Sequence, residues 1–339
     1  MIEEGNRKMN QKNFLLALAL TLVFAGTLKA QIGLNKVAQS TMNFQLVGIS
    51  PVASAMGDAY YAVGTGADAI FYNPAAMAEM TNTYNVTLDY TQWIADINYY
   101  AGAIAWNMKN YGAVGLSVLS VDYGTINGTS LNPLGGYIDN GPVSNVGAYS
   151  IGLTYAKHVN TQFLVGGNVR LVGQNLGDNT FYDGTTTKNT ATKIAFDLGV
   201  KYITLFNDFR FGMAIRNFSS DITREVIAEQ LPLTFTMGAA IDLLKFVNEN
   251  HDKGTSLTMA VDFLHSNSYS ERVNVGLEYK FLGMLALRGG YQTNRDLQSW
   301  SAGLGINTSL AGNDLQVNYS FSKMEIFSNV SRFSLVMSF

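Results

Sequence analysis

From Tyr84 onward, apolar residues recur at every second position. Val273, Val275, Leu277, Tyr279 and Phe281 alternate with Arg272, Asn274, Gly276, Glu278 and Lys280. Ile194, Phe196, Leu198, Val200 and Tyr202 alternate with Lys193, Ala195, Asp197, Gly199 and Lys201, and Leu315–Ser322 repeats the pattern. Successive side chains of a strand point to opposite faces, so a period of two predicts strands rather than helices. About fourteen such segments follow, each near the nine to eleven residues that cross a bilayer at a ~45° tilt. They are 84–92, 97–108, 112–121, 146–157, 162–173, 191–203, 208–217, 232–242, 255–264, 271–281, 284–292, 298–308, 314–322 and 331–339.

Charge sorts by face. Asp89, Arg170, Lys193, Asp197, Lys201, Arg210, Arg216, Asp242, Asp262, Arg272, Glu278, Lys280, Arg288 and Arg332 all stand out of phase with the apolar rows. A soluble sandwich would bury the apolar face between its sheets, whereas a transmembrane barrel would turn it to lipid. Alternation alone does not separate these two architectures. Aromatic residues near both strand ends do favour one: Tyr84 and Tyr90, Tyr149 and Tyr155, and Tyr319 and Phe321 sit where interfacial girdles would lie. The reading is an all-β fold, a transmembrane antiparallel β-barrel of about fourteen strands with a small N-terminal helical plug.

Connection lengths agree. Short links at Lys109-Asn110, Val159–Thr161, Leu205–Asn207, Leu282-Gly283 and Ala311-Gly312 alternate with longer ones at 122–145, 174–190, 218–231, 293–297 and 323–330. That is the pattern of periplasmic turns and external loops. Residues 248–253 and the tight link at Trp93–Asp96 are exceptions. The last strand carries apolar residues at 333, 335 and 337 and ends on Phe339, resembling the signal read by the barrel insertion machinery.

Ahead of the strands, Arg7, Lys8 and Lys12 precede an apolar run from Phe14 to Gly26 and a small-residue site at Ala30. This predicts a signal peptide over 1–30, cut near Ala30, and hence the bacterial outer membrane as destination. The run is too short for a span of ~20 residues. The 339 residues include no Cys, so disulfides, thiol chemistry and a lipoprotein anchor are excluded. A net charge of −3 offers no basic field for nucleic acid.

Residues 31–82 form the predicted plug, and 83–339 the barrel. Ser50-Pro51 and Asn73-Pro74 each place a capping side chain before a proline, which predicts two short helices. Gly57, Gly64 and Gly66 between them permit tight turns. Ala55, Met56, Gly57, Ala59 and Tyr60, then Ala67, Asp68, Ala69, Tyr72, Asn73, Pro74 and Ala75, resemble the N-terminal signature of the PorV/PorQ family, and more distantly the FadL family of transporters. Lys36-Val37 to Phe44 and Gly48-Ile49 belong to the same resemblance, while Asp58 and Ala76 stand where such sequences usually have glycine. The resemblance implies a component of type IX secretion that binds secreted proteins carrying C-terminal signal domains and works with translocon components. The alternative is a FadL-like channel for hydrophobic small molecules, with an apolar pocket, a displaceable plug and a gap in the wall. External loops 122–145, 174–190 and 218–231 are the expected cargo surface under the first reading.

Catalytic chemistry is not indicated. His158, His251 and His265 lack metal-ligand spacing, and no nucleophile elbow, phosphate-binding loop or cofactor motif occurs. Gly64-Thr65-Gly66 is a fragment that reads as a turn. Asp178-Asn179 and Asp183-Gly184 lack the spacing of a calcium loop. Arg170, Arg210, Arg216, Arg272, Arg288 and Arg332 are the candidate lumen-lining charges. They would either line a path for acidic groups or pair with Asp197, Asp242, Asp262 and Glu278 while satisfying plug backbone.

Overall fold

Fourteen strands close into one antiparallel barrel in chain order. They are β1 (Tyr84–Gln92), β2 (Asn98–Asn107), β3 (Ala113–Asp122), β4 (Gly147–His158), β5 (Phe163–Thr180), β6 (Thr186–Ile203) and β7 (Arg210–Phe218). The second half comprises β8 (Thr234–Asp242), β9 (Ser256–Ser266), β10 (Arg272–Phe281), β11 (Leu285–Gln292), β12 (Gln298–Leu310), β13 (Asn313–Met324) and β14 (Val330–Ser338). A computed structural model describes residues 40–132, 134–143, 145–180, 185–223, 227–247, 254–295 and 297–339. The leader with its cut near Ala30, Lys36-Val37, Asp183-Gly184, His251 and the 248–253 connection lie outside the described residues.

Closure comes from β1 against β14, with Val86 opposite Met337, Leu88 opposite Leu335 and Tyr90 opposite Phe333. Every backbone ladder is thereby paired, which a chain crossing hydrocarbon requires. Among the described residues no helix is long and apolar enough to cross a membrane. Phe339 continues the seam at its end: its amide donates to the Tyr84 carbonyl at 2.9 Å.

The side-chain phase decides the environment. Leu88, Ile104, Leu116, Ile151, Leu153, Leu171, Leu198, Leu287 and Leu304 point outward and are exposed, whereas Arg332, Lys201, Glu278 and Asp262 are buried inside. A soluble sandwich would have the opposite arrangement, and a contiguous exposed apolar wall marks a membrane surface. Leu198 stands midway along the outward row of β6 and is 63% exposed. Replacing it by arginine should destabilise the inserted barrel by about 2–4 kcal/mol, read by urea titration in lipid vesicles.

The long connections differ from expectation in one respect. The stretch 174–190 is mostly strand, because β5 runs to Thr180 and β6 begins at Thr186. Above the membrane both faces meet water, so apolar alternation disappears there while threonine-rich sequence still favours extended backbone. Residues 122–145 likewise carry a hairpin of Asn127–Leu131 and Tyr137–Pro142. Within 218–231, Ile222–Thr223 pairs with Ala228–Glu229.

The segment before β1 runs through the lumen. Ser40 bridges to Gln230 at the loop end, and Met80 accepts from Asn107 Nδ2 at 2.9 Å at the turn end. Helix α1 (Pro51–Ala55) starts at Ser50, whose Oγ accepts from the Ala53 amide at 3.4 Å. It ends as glycine-capped helices do: Gly57, at φ 64°, donates to Ser54, and Asp58 donates to Ala53. The second expected helix is a 3₁₀ stretch, Pro74–Glu79, with Asn73 Oδ1 accepting from the Ala75 amide at 3.2 Å.

Strand glycines give this segment its seat. A Cβ on Gly166 would lie 2.6 Å from the Ala75 nitrogen, and one on Gly276 would lie 2.5 Å from the Met56 carbonyl oxygen. Gly290 faces the Met56–Gly57 backbone just as closely, while its neighbour Gly289 has nothing within 4 Å. Alternation sends one glycine of each strand pair inward, where backbone meets backbone.

Candidate functional site

The lumenal segment is held at three levels. At the turn end, Glu79 accepts from Lys201 and, at 3.0 Å, from Arg210. Lys201 also donates to the Gly64 carbonyl at 2.9 Å, and Arg210 bonds Asp208 at 2.8 Å. Lys201 is fully buried, so its charge depends on that carboxylate. His158 Nε2 lies 3.0 Å from the Ala78 carbonyl.

Midway, the Asp262 carboxylate of β9 accepts the amides of Tyr60 at 2.7 Å and Tyr61 at 3.1 Å. Asp68 accepts Ser50 Oγ at 2.6 Å and Tyr60 Oη at 3.0 Å. Burial raises the Asp68 carboxyl above the ordinary carboxylate range, and the hydroxyls of Ser50 and Tyr60 oppose that shift. Tyr72 meets the rings of Tyr60 and Tyr61 edge-on, with centroids 5.1 Å and 6.0 Å away. Asn73 Nδ2 ties Tyr61 to the wall, donating to the carbonyls of Tyr61 and Val200, each at 3.0 Å.

Toward the loops, Arg170 pairs with Asp197 at 2.7 Å and donates to Gln45. Arg332 Nε donates to the Gly48 carbonyl at 2.9 Å, with its guanidinium 5.4 Å over Trp93. Arg272 stacks 3.6 Å over Tyr269, and Arg216 reaches Tyr61 Oη at 3.4 Å. Of the six candidate arginines, then, Arg210 and Arg288 lie toward the turns. Arg288 bonds Glu278 at 2.7 Å and Asn318 at 3.0 Å. The other four converge on the loop side of the segment. Asp242 and Asp262 serve backbone amides: Asp242 accepts from Leu244 and Leu257.

The segment separates two kinds of space. On the turn side lies a chamber of about 830 Å³ lined by Asn82, Asn85, Thr258, Asn307, Gln316 and several paired charges. On the loop side two cavities of about 60 Å³ and 250 Å³ share Leu46, Val47, Gly48, Asp58, Tyr269, Arg272 and Arg295. Around them stand five arginines (Arg170, Arg216, Arg272, Arg295 and Arg332) with Phe71, Trp93 and Leu119. Asp58 is the one carboxylate among the described lining residues.

Periodicity could not reveal Arg295, which lies in a connection, or Glu79, which lies in a 3₁₀ turn. Met56, Gly57, Pro74 and Ala75 are packing residues in this arrangement, buried against strand backbone. For Asp58, the one sequence signal is its place where related signatures have glycine.

The barrel shares its fold with solved toluene transporters. Pseudomonas putida toluene transporter TodX superposes with a TM-score of 0.56 at 12% identity, over 86% of this chain and 97% of that one. Ralstonia pickettii toluene transporter TbuX gives 0.54 at 17% identity, over 87% and 98%. A Pseudomonas aeruginosa FadL homologue gives 0.51 at 13% identity, over 86% and 98%. No family model matches the chain and no curated protein matches it, so the PorV/PorQ resemblance gains no support beyond its own residues. These neighbours share the barrel fold.

Proposed function

We propose that this barrel admits hydrophobic small molecules bearing an acidic head group from the loop side, without catalysis. The supporting observation is the pair of loop-side cavities, lined between them by Arg170 (paired with Asp197), Arg216, Arg272, Arg295 and Arg332, by the Asp58 carboxylate, and by Trp93, Tyr269, Leu46 and Val47. Apolar and aromatic walls take the tail, and guanidinium groups take the head. The fold shared with toluene transporters agrees with a route for hydrophobic molecules. Titration calorimetry with decanoate on the detergent-solubilised protein tests this. The double variant Arg272→Gln/Arg295→Gln should bind decanoate at least ~10-fold more weakly, since charge-assisted bonds are worth about 1.5–3 kcal/mol each. Equal affinity in both proteins would refute the reading.

The projecting hairpins favour a second reading. Leu131, Tyr137 and Ile138 are exposed on the 127–142 hairpin, a surface a secreted protein with a C-terminal signal domain would bind in type IX secretion. Deleting 123–145 should then abolish capture of such proteins in pull-downs. On either reading the outer wall meets outer-membrane lipid, and the Phe339 strand is the handle for the insertion machinery.

A further inference from the structure

Asp58 sits in an uncommon backbone state. Its φ is 59°, directly after Gly57 at 64°, so two consecutive residues are left-handed and the second carries a side chain. Aspartate tolerates that region better than most residues, yet glycine adopts it freely. The conformation sends the carboxylate into both loop-side cavities. There Oδ2 accepts from Gln292 Nε2 at 2.5 Å and lies 3.9 Å from Arg295 Nη2. Oδ1 accepts weakly from Ser54 Oγ at 3.4 Å.

This contact joins the lumenal segment to β11 and the connection after it. It is also incomplete. Arg295 is not engaged by a two-pronged hydrogen bond, and its Nε is buried without a partner. Gly48 packs against the same carboxylate, since a Cβ there would lie 2.5 Å from Asp58 Oδ1. Arg332 holds the Gly48 carbonyl at 2.9 Å, so the carboxylate, the entry of the segment and the arginine ring are mechanically connected.

We propose that Asp58 is a built-in stand-in for the acidic head of the ligand, occupying the Gln292–Arg295 position until an incoming carboxylate displaces it and frees the Met56–Asp58 turn from the wall. The inference rests on the uptake reading and adds the residue that sets its threshold. A tethered anion competes with a free one for the same donors, so removing it raises affinity for anions and leaves neutral ligands unchanged.

Calorimetry with decanoate and decanol on the full detergent-solubilised protein, on Asp58→Asn and on Asp58→Gly tests this. Asp58→Gly suits the left-handed backbone, and Asp58→Asn keeps the shape without the charge, so neither should impair folding. Both variants should bind decanoate at least ~10-fold more tightly, with decanol affinity within about twofold of the parent. A decanoate change below about twofold, or equal tightening for decanol, would overturn the role of Asp58. If decanoate binding depends on Arg272 and Arg295 but ignores Asp58, this inference alone falls. If no form binds decanoate, it falls together with the uptake reading.

Discussion

Gly290→Leu should convert a closed barrel into a conducting one, whereas Gly289→Leu should leave it closed. Position 290 faces the Met56–Gly57 backbone, and a Cβ there would lie 2.7 Å from the Gly57 Cα. Main chain on both sides cannot yield as a flexible side chain would. Gly57 itself is fixed by its left-handed φ of 64° and by the carbonyls of β10 and β11 around it. Overpacking costs about 1–3 kcal/mol, enough to lower occupancy of the seated state roughly 5- to 150-fold. At position 289 the added side chain enters open space on the outer wall. Planar-bilayer conductance checks both variants, and heat-modifiable electrophoretic mobility shows that each barrel is folded. Equal conductance from the two would mean that the inner glycines do not seat the segment.

A comparable effect should follow from Glu79→Ala. The change leaves Lys201 fully buried with the Gly64 carbonyl but no counter-charge, while Arg210 keeps Asp208 at 2.8 Å. Breaking a buried pair by removing one partner costs about 3–5 kcal/mol, because the remaining charge stays desolvated. The expected result is a lower urea midpoint and a conducting fraction in bilayers. Adding Lys201→Met should recover most of the loss, since an apolar replacement removes the orphaned charge. No recovery in the double variant would show that Glu79 acts through Arg210 rather than Lys201.

Wall and interior are written into the chain differently. On the wall each side chain faces one solvent, oil or lumen, and strand geometry enforces a period of two. Leu198 and Asp197 therefore declare their sides by parity alone, and most of the turns and loops follow from where parity breaks. Where strands leave the membrane, as at Thr186–Ala191, both faces meet water and the signal vanishes although the backbone stays extended. Inside the lumen no period operates. Asn73 and Ser50 announced their caps because capping is local chemistry, settled within three residues.

Partners across the lumen are another matter. Asp262 was legible as an inward charge, yet it accepts amides from Tyr60 and Tyr61, 202 and 201 residues away, rather than an arginine. Arg295 and Asp58 meet only because a connection beyond β11 folds over a helix cap more than two hundred positions earlier.

By itself the sequence determined the barrel, the sidedness of its charges and the two capped turns, since each rests on contacts between near neighbours or on a solvent that every residue of a face shares. Only the tertiary structure decided which carboxylates the arginines meet and which arginines line the loop-side cavities. That choice depends on curvature and register summed around fourteen strands, and no local pattern carries such a sum.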